Sequence, residues 1–322
     1  MHAHRSPIPV SFFGIAVGVL ALANAWHVAS RLWGLPAELA NTFTVAGLAV
    51  WLTVTLLYAR KWLLHRAEAQ GEMQHPVQSS FAALGPVSGL LAAMALLPFS
   101  RLLAIGLFAI ALVGQLALGL WLYGRFWQGG RAPELVTPAV YLPAVAQNFV
   151  AGTAAASFGW PQLGALFFGA GVLSWLAIES MILSRAAILP PTPEAQRPLL
   201  GIQLAPAVVG GVTYMSLSGG VPDLFAQMLL GYGLFQALLL LRLLPWIAKQ
   251  PFAPSYWAFS FGVAALPTLA MRMLERGATG PVEWLAPILF IAGNLIIAML
   301  VLKTLALLVK GRLLPAVAPS HG

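Results

Sequence analysis

The chain has 322 residues, of which 60% are hydrophobic and only 8% are charged. Soluble domains carry about 25% charged residues, so this composition excludes a water-soluble globule. Basic residues outnumber acidic ones by 17 to 9, giving a net charge of +8, but they lie between apolar runs, which argues against a nucleic-acid-binding module. Because the sequence has no cysteine, disulfides, thiolate metal sites and cysteine nucleophiles are excluded.

Stretches without Asp, Glu, Lys or Arg mark candidate membrane spans, because a charge at mid-bilayer costs about 2.5–3.5 kcal/mol. Nine such stretches occur, and the fifth, 135–178, has 44 residues. As one helix it would be about 66 Å long, roughly twice the hydrocarbon thickness. It is therefore expected to fold back at Phe158-Gly159-Trp160-Pro161-Gln162, where Gly and Pro interrupt a helix.

The fold class predicted is all-α, a single polytopic membrane domain over 1–322 whose ten helices form five hairpins. The spans are expected at 7–29, 37–60, 77–99, 101–124, 138–158, 161–185, 198–218, 222–247, 254–275 and 281–309. The first apolar run could instead be a secretory signal, since Arg5 precedes it and Ala23-Asn24-Ala25 resembles a cleavage site. Its 25 charge-free residues exceed the about 7–15 of a signal core, which favours a first span.

Loop charges predict the orientation of the ten spans. One side of the membrane receives 13 of the 17 basic residues, and the other receives Arg31, Arg101, Arg272 and Arg276. The positive-inside rule places the richer side, with both termini, in the cytoplasm.

Proline separates the odd-numbered spans from the even-numbered ones. Every odd span contains one, namely Pro9, Pro86, Pro143, Pro206 and Pro267, whereas proline in even spans stays near the ends. Interior proline frees a backbone carbonyl, which a membrane tolerates where protein or a water-filled cavity covers it. Proline and small residues also permit simple close packing. The five-fold alternation nevertheless favours a quasi-five-fold ring of inner helices around a central pore, with five outer helices facing lipid.

The middle of each odd span lacks Lys, Arg, Asp and Glu. Ion-coupled carriers usually place an ionisable group at the substrate site, so this neutral path favours a pore with a hydrophobic constriction. The basic residues at the cytoplasmic ends predict a basic vestibule that enriches small anions. The candidates for pore lining are Phe13, Phe81, Pro86, Pro143, Phe149, Pro206 and Pro267.

Glu179 is the one carboxylate well inside an apolar run. An intramembrane ionisable group is a functional candidate, so Glu179 could couple transport to protons. Its position near a span end, six residues before Arg185, favours a structural carboxylate with a partner. Two functions stay open, an anion channel and a proton-coupled carrier of dicarboxylate, tellurite or sulfite. An enzyme, a metal site and a cofactor are not expected, since HExxH and paired intramembrane aspartates are missing from the sequence.

Seven strings in order along the chain carry a family resemblance. They are WQGG at 127–130, YLPAVAQNF at 141–149, LFFGAG at 166–171, GIQLAPA at 201–207, GYG at 231–233, LLRLLPW at 240–246 and WAFSFG at 257–262. They resemble the TehA family of bacterial tellurite-resistance proteins, which is similar to plant slow anion channels and yeast dicarboxylate and sulfite transporters. The resemblance implies an inner-membrane homotrimer, surrounded by lipid, with a small-anion pore in each protomer. It also implies that Phe261 is the gate and that Gly14 faces the pore.

Overall fold

The computed structural model describes residues 7–314, so Arg5 and the two chain ends assigned to the cytoplasm lie outside it. Residues 7–314 contain helices and connecting turns but no strand. Ten long helices follow one another: α1 Val10–Trp33, α2 Ala37–Leu64, α3 Gln78–Leu96, α4 Arg101–Trp127, α5 138–157, α6 Pro161–Ile188, α7 Glu194–Leu217, α8 Leu224–Ile247, α9 Pro254–Glu275 and α10 Pro281–Val309. All except α5 are long and apolar enough to cross a membrane, and α5 carries the polar Gln147, Asn148 and Thr153.

The odd-numbered helices begin irregularly, whereas the even-numbered ones are continuous α-helices of 24 to 29 residues. Helices α1, α7 and α9 start with the 3₁₀ segments Val10–Phe12, Glu194–Leu204 and Pro254–Phe259. Helix α5 passes from a 3₁₀ turn, Pro138–Tyr141, through a π turn, Leu142–Ala146.

Three of the predicted inner-helix prolines lie close to these irregular starts. Pro143 lies in the first turn of the π segment of α5, and Pro206 lies in the first turn of the α-helical part of α7. Pro86 follows the interruption of α3 between Phe81 and Leu84. Proline fits there because it lacks the N–H that an interior helical position would donate. Pro9 precedes the first helical residue, so it kinks no helix, and Pro267 lies within the unbroken α-helix Ser260–Glu275. Pro9 therefore lies outside the helix of the first span, whereas Pro267 is an interior proline, as expected of an odd span.

Burial divides the helices into an inner and an outer set. The most apolar 18-residue stretch is 72–78% buried in α1, α3, α7 and α9 but only 17–33% buried in the five even helices. The odd helices contact one another in a closed ring, because α1 packs on α3, α3 on α5, α5 on α7, α7 on α9, and α9 on α1 again. This confirms the predicted five-membered inner ring with five outer helices.

Each hairpin returns the chain to the same end, so the five inner helices run parallel. We call the end where they begin the amino-terminal end of the ring, and the end where they finish the carboxyl-terminal end. Glycines permit the close contacts within this arrangement. A Cβ on Gly164 of α6 would lie 2.8 Å from the carbonyl oxygen of Gly152 in α5, and a Cβ on Gly18 of α1 would overlap the Ser260 hydroxyl of α9. Small residues at these crossings let the helices approach to backbone contact.

Candidate functional site: three cavities along the ring

A cavity of about 330 Å³ lies at the amino-terminal end of the ring, and all five inner helices line it. We call it the amino-terminal vestibule. Gly14 of α1, Phe81 of α3 and Phe261 of α9 contribute to its wall. Within the described part of the chain, its lining contains no Lys, Arg, Asp or Glu, and His75 is its one titratable side chain.

A much smaller cavity, of about 30 Å³, follows deeper in the ring and is again lined by all five inner helices. We call it the central chamber. Its wall is mainly apolar, with Asn24, Thr153 and Thr268 as the polar members. Among residues 7–314, Phe261 alone lines both the chamber and the amino-terminal vestibule. Since this volume is close to that of a single water, the chamber is the narrow part of the ring.

A third cavity, of about 270 Å³, lies where the inner helices end. We call it the carboxyl-terminal vestibule. Four inner helices supply its lining, which differs from that of the other two cavities because it is charged. The residues that line it are Arg31, Ala156, Ser157, Met215, Ser216, Arg272, Glu275 and Arg276.

Helical spacing shows that the three cavities follow one path. On α9, Phe261, Ala265, Thr268 and Arg272 recur at intervals of four, three and four residues, which is one face of an α-helix. The face runs from the amino-terminal vestibule through the chamber to the carboxyl-terminal vestibule. A similar stripe on α1 also reaches all three cavities; its lining residues are Ser11, Gly14, Val17, Ala21, Asn24 and Arg31.

Gly14 and Phe261, which the family resemblance places at the pore, both lie on these stripes near the amino-terminal vestibule, whereas the residues deeper in the path were not predicted. Counting forward from Phe261 in steps of three and four would have identified Ala265, Thr268 and Arg272. From sequence, Arg272 is placed only among the four basic residues of the side opposite the termini.

Six other candidates for pore lining lie outside the walls of these three cavities: Phe13, Pro86, Pro143, Phe149, Pro206 and Pro267. The ring of Phe13 packs edge-on against Tyr58 of α2, with 5.5 Å between ring centroids. Phe149 is fully buried, and Cβ atoms added to Gly171 and Gly210 would come within 2.7 and 3.0 Å of its ring. These contacts are those of packing residues, and pore lining by the six stays a prediction.

A family model described as voltage-dependent anion channel, SLAC1, matches residues 7–305. The chain belongs to the SLAC1 family. It is 36% identical to the tellurite resistance protein TehA homolog of Haemophilus influenzae, over 95% of this chain and 92% of that protein. It is 21% identical to the S-type anion channel SLAH3 of Arabidopsis thaliana, over 92% of this chain and 48% of that longer protein. An uncharacterized transporter of Methanocaldococcus jannaschii is 22% identical over 77% of this chain.

Membership of the SLAC1 family confirms the resemblance drawn from the seven strings. It makes this chain a multi-pass membrane protein of a family of anion channels and transporters, not of enzymes.

In this SLAC1-family chain the basic residues of the amino-terminal end surround the ring instead of lining its vestibule. Lys61 pairs with Glu72 at 2.9 Å, and Arg197 pairs with Glu194 at 3.2 Å. Arg125 donates to the carbonyl of Met73. For residues 7–314 the expectation of a basic vestibule at this end is therefore wrong, and the arginine-lined cavity lies at the opposite end of the path.

Glu179 of this SLAC1-family protein lies away from the three cavities, at the junction of α5, α6 and α8. Its carboxylate accepts hydrogen bonds from the hydroxyl of Tyr141, from Trp175 Nε1 at 2.8 Å and from the hydroxyl of Tyr232 at 2.8 Å. Arg185, the partner expected from sequence, instead donates to Thr192. Because three neutral donors from three helices surround Glu179, its contacts are those of a structural carboxylate.

Proposed function

We propose that this protein is a passive anion pore whose path runs through the three cavities, and that Phe261 closes the path. The observation that carries the proposal is that Phe261 lines both the amino-terminal vestibule and the central chamber. An aromatic side chain at such a boundary is a hydrophobic constriction, which stops ions because they cannot keep their hydration shell. Family membership supplies the anion as the permeating species.

The proposed mechanism has no strong binding step in the neck. An anion enters the amino-terminal vestibule beside Gly14, loses part of its hydration shell and passes between Phe261 and the chamber wall. The hydroxyl of Thr268 donates to the carbonyl of Ala264, and that of Thr153 bonds with Thr213, so neither binds the anion strongly. Among residues 7–314, no lining residue of the chamber carries a charge. Selectivity would then follow dehydration cost, so large, weakly hydrated anions should pass most easily. A turn of the Phe261 side chain out of the path would open it.

We also propose an inner-membrane homotrimer with both termini in the cytoplasm. Support for the orientation comes from the 13 to 4 distribution of basic residues across the ten helices. Support for one pore per protomer comes from the inner ring, which a single chain closes by itself. The trimer rests on the family resemblance.

The test of a passive pore is the reversal potential of the current through purified protein in planar lipid bilayers. A tenfold chloride gradient at equal pH should shift the reversal potential by nearly 59 mV, while a pH gradient at equal chloride should shift it by almost nothing. If the wild-type protein does not conduct, the same reversal potentials are measured with the Phe261→Ala variant, which we expect to be open. A reversal potential that follows the pH gradient would reject the channel and support a proton-coupled carrier of dicarboxylate, tellurite or sulfite.

Glu179→Gln separates the same two functions in another way. As a structural carboxylate, Glu179 should contribute stability but no coupling, because it is distant from the path. We expect the substitution to lower the free energy of unfolding by roughly 2 kcal/mol, the scale for hydrogen bonds to a charged group, and to leave anion selectivity unchanged. Thermal unfolding in detergent and bilayer currents measure the two effects. Ser180→Ala, at an exposed neighbour, is the control. A variant with normal stability and altered pH dependence of transport would contradict this role.

A further inference from the structure

Three arginines meet in the carboxyl-terminal vestibule, at the end of the path where basic residues are scarcest. The topology assigns only Arg31, Arg101, Arg272 and Arg276 to this side, and all except Arg101 line this one cavity. The same side holds four acidic residues, Glu38, Asp223, Glu275 and Glu283, of which only Glu275 lines it. The positive-inside rule explains why this side of the membrane has few basic residues. It does not explain why three of the four present line one cavity on the axis of the ring.

Two of the three arginines already have partners. The Arg31 guanidinium pairs with Glu275, with 3.0 Å between Nε and Oε1. Arg276 donates to the backbone carbonyls of Ser218 and Met215, where α7 ends. These contacts use the two charges to hold the ends of α1, α7 and α9 together.

Within residues 7–314, neither Arg276 nor Arg272 has an acidic partner, but Arg272 differs from both of its neighbours in having a buried guanidinium nitrogen without a hydrogen bond. It donates to the hydroxyl of Ser216, while its Nε is buried and makes no hydrogen bond. Among the residues that the structure describes, no carboxylate oxygen lies within 4.0 Å of its guanidinium. Burying a cation without a partner is costly, so buried arginines are normally paired. A mobile anion in the cavity would be the missing partner.

We propose that Arg272 binds a small inorganic anion in the carboxyl-terminal vestibule, on the far side of the chamber from Phe261. Ser216 positions the guanidinium, because its hydroxyl accepts from Arg272 and donates its own proton to the carbonyl of Val212. The fixed, planar guanidinium donates to halides and to planar or tetrahedral oxyanions alike. The cavity of about 270 Å³ has room for such an anion with several waters, each of about 30 Å³. Because Arg272 continues the α9 stripe of Phe261, Ala265 and Thr268, the bound anion lies in line with the path.

Anion binding can be tested without any permeation. The linewidth of the chloride-35 NMR signal broadens when chloride exchanges onto purified full-length protein in detergent. Added nitrate should displace bound chloride and so remove the part of the linewidth that comes from the site. We expect Arg272→Gln to lack most of this nitrate-sensitive broadening and Arg272→Lys to retain part of it. Arg101→Gln removes the same charge from the same side, outside the cavity, and should leave the signal as in wild type. Equal broadening in wild type and Arg272→Gln would overturn the site.

A second measurement covers the case in which Arg272→Gln does not fold. Crystals of the wild-type protein grown in bromide should show an anomalous peak within hydrogen-bond distance of the Arg272 guanidinium. An empty vestibule at high bromide would overturn the proposal.

The role of the site in permeation rests on the proposed pore. In a Phe261→Ala background, Arg272→Gln should lower low-salt anion conductance by about tenfold, the effect of removing one unit charge from a half-hydrated site. The difference should fade at about 1 M salt, where the Debye length is only about 3 Å. If Phe261→Ala is silent but chloride binding needs Arg272, the pore proposal fails and the binding site stands. If Phe261→Ala conducts equally with and without Arg272 at low salt, the permeation role fails alone.

Discussion

Replacing Phe261 with alanine should convert a closed protein into a conducting one. The substitution removes the ring that lies between a vestibule of about 330 Å³ and a chamber of about 30 Å³, and it enlarges the narrowest part of the path. A hydrophobic constriction that is widened becomes wetted, so an anion can keep more of its hydration shell. We expect chloride and nitrate currents at least about tenfold above wild type in planar bilayers, with nitrate exceeding chloride.

Phe259→Ala provides the matched control for this experiment. Phe259 lies two residues earlier on α9, contacts Gly201 and Tyr256, and lines neither the amino-terminal vestibule nor the chamber. Phe259→Ala and Phe261→Ala remove the same number of atoms from the same helix. Any general loosening of α9 should therefore appear in both variants. Currents that rise equally in both, or in neither, would contradict the role of Phe261.

The largest loss of stability is expected at a buried ion pair beside the start of α1. Lys61 is 3% exposed, and its ammonium group lies 2.9 Å from Glu72 and donates to the carbonyl of Ile8 at 3.1 Å. Glu72, on the connecting helix Arg66–Gln74, also accepts from the backbone N–H of Val10. Glu72→Gln leaves the ammonium buried without its counter-charge. We expect it to lower the free energy of unfolding by about 3–5 kcal/mol, measured by chemical unfolding in detergent.

Two further variants show whether that loss comes from the unpaired charge. Removing both charges, in Lys61→Met with Glu72→Leu, should recover much of the stability, because an apolar pair has no desolvation cost. Glu194→Gln breaks the Arg197 pair, whose carboxylate is 59% exposed, and should cost under about 1 kcal/mol. A double variant as unstable as Glu72→Gln would show that the geometry of the pair, not its charge, supports α1.

Proline spacing and charge-free length were sufficient to predict the architecture, because both depend only on local sequence. A membrane excludes charges from span interiors, and an inner ring collects the prolines and small residues that lipid-facing helices lack. Phe149 shows where this reasoning stops. Its position in an inner helix made it a pore-lining candidate, but rotation about the α5 axis turns its ring toward Gly171 and Gly210. That rotation is set by glycines on two other helices.

The partners of Glu179 and of the basic residues were also beyond local reasoning. Tyr141 and Tyr232 reach Glu179 from α5 and α8, 38 and 53 residues away in the chain. Proximity in the sequence suggested Arg185 as the partner of Glu179, but the Arg185 guanidinium donates to the hydroxyl of Thr192 instead. Charge counts gave the correct excess of basic residues at one end of the ring, but the cavity lining depends on which side chains point to the axis.

The parallel course of the five inner helices also produces an electric field along the path. Each α-helix carries about half a positive charge at its amino terminus and half a negative charge at its carboxyl terminus. The α-helical parts of the ring begin at Phe13, Leu84, Gln147, Ala205 and Ser260, beside the vestibule that has no charged lining. Backbone dipoles therefore attract anions there even though no Lys or Arg of the described residues lines that vestibule. At the other mouth the dipoles repel anions, and the arginines counter that repulsion.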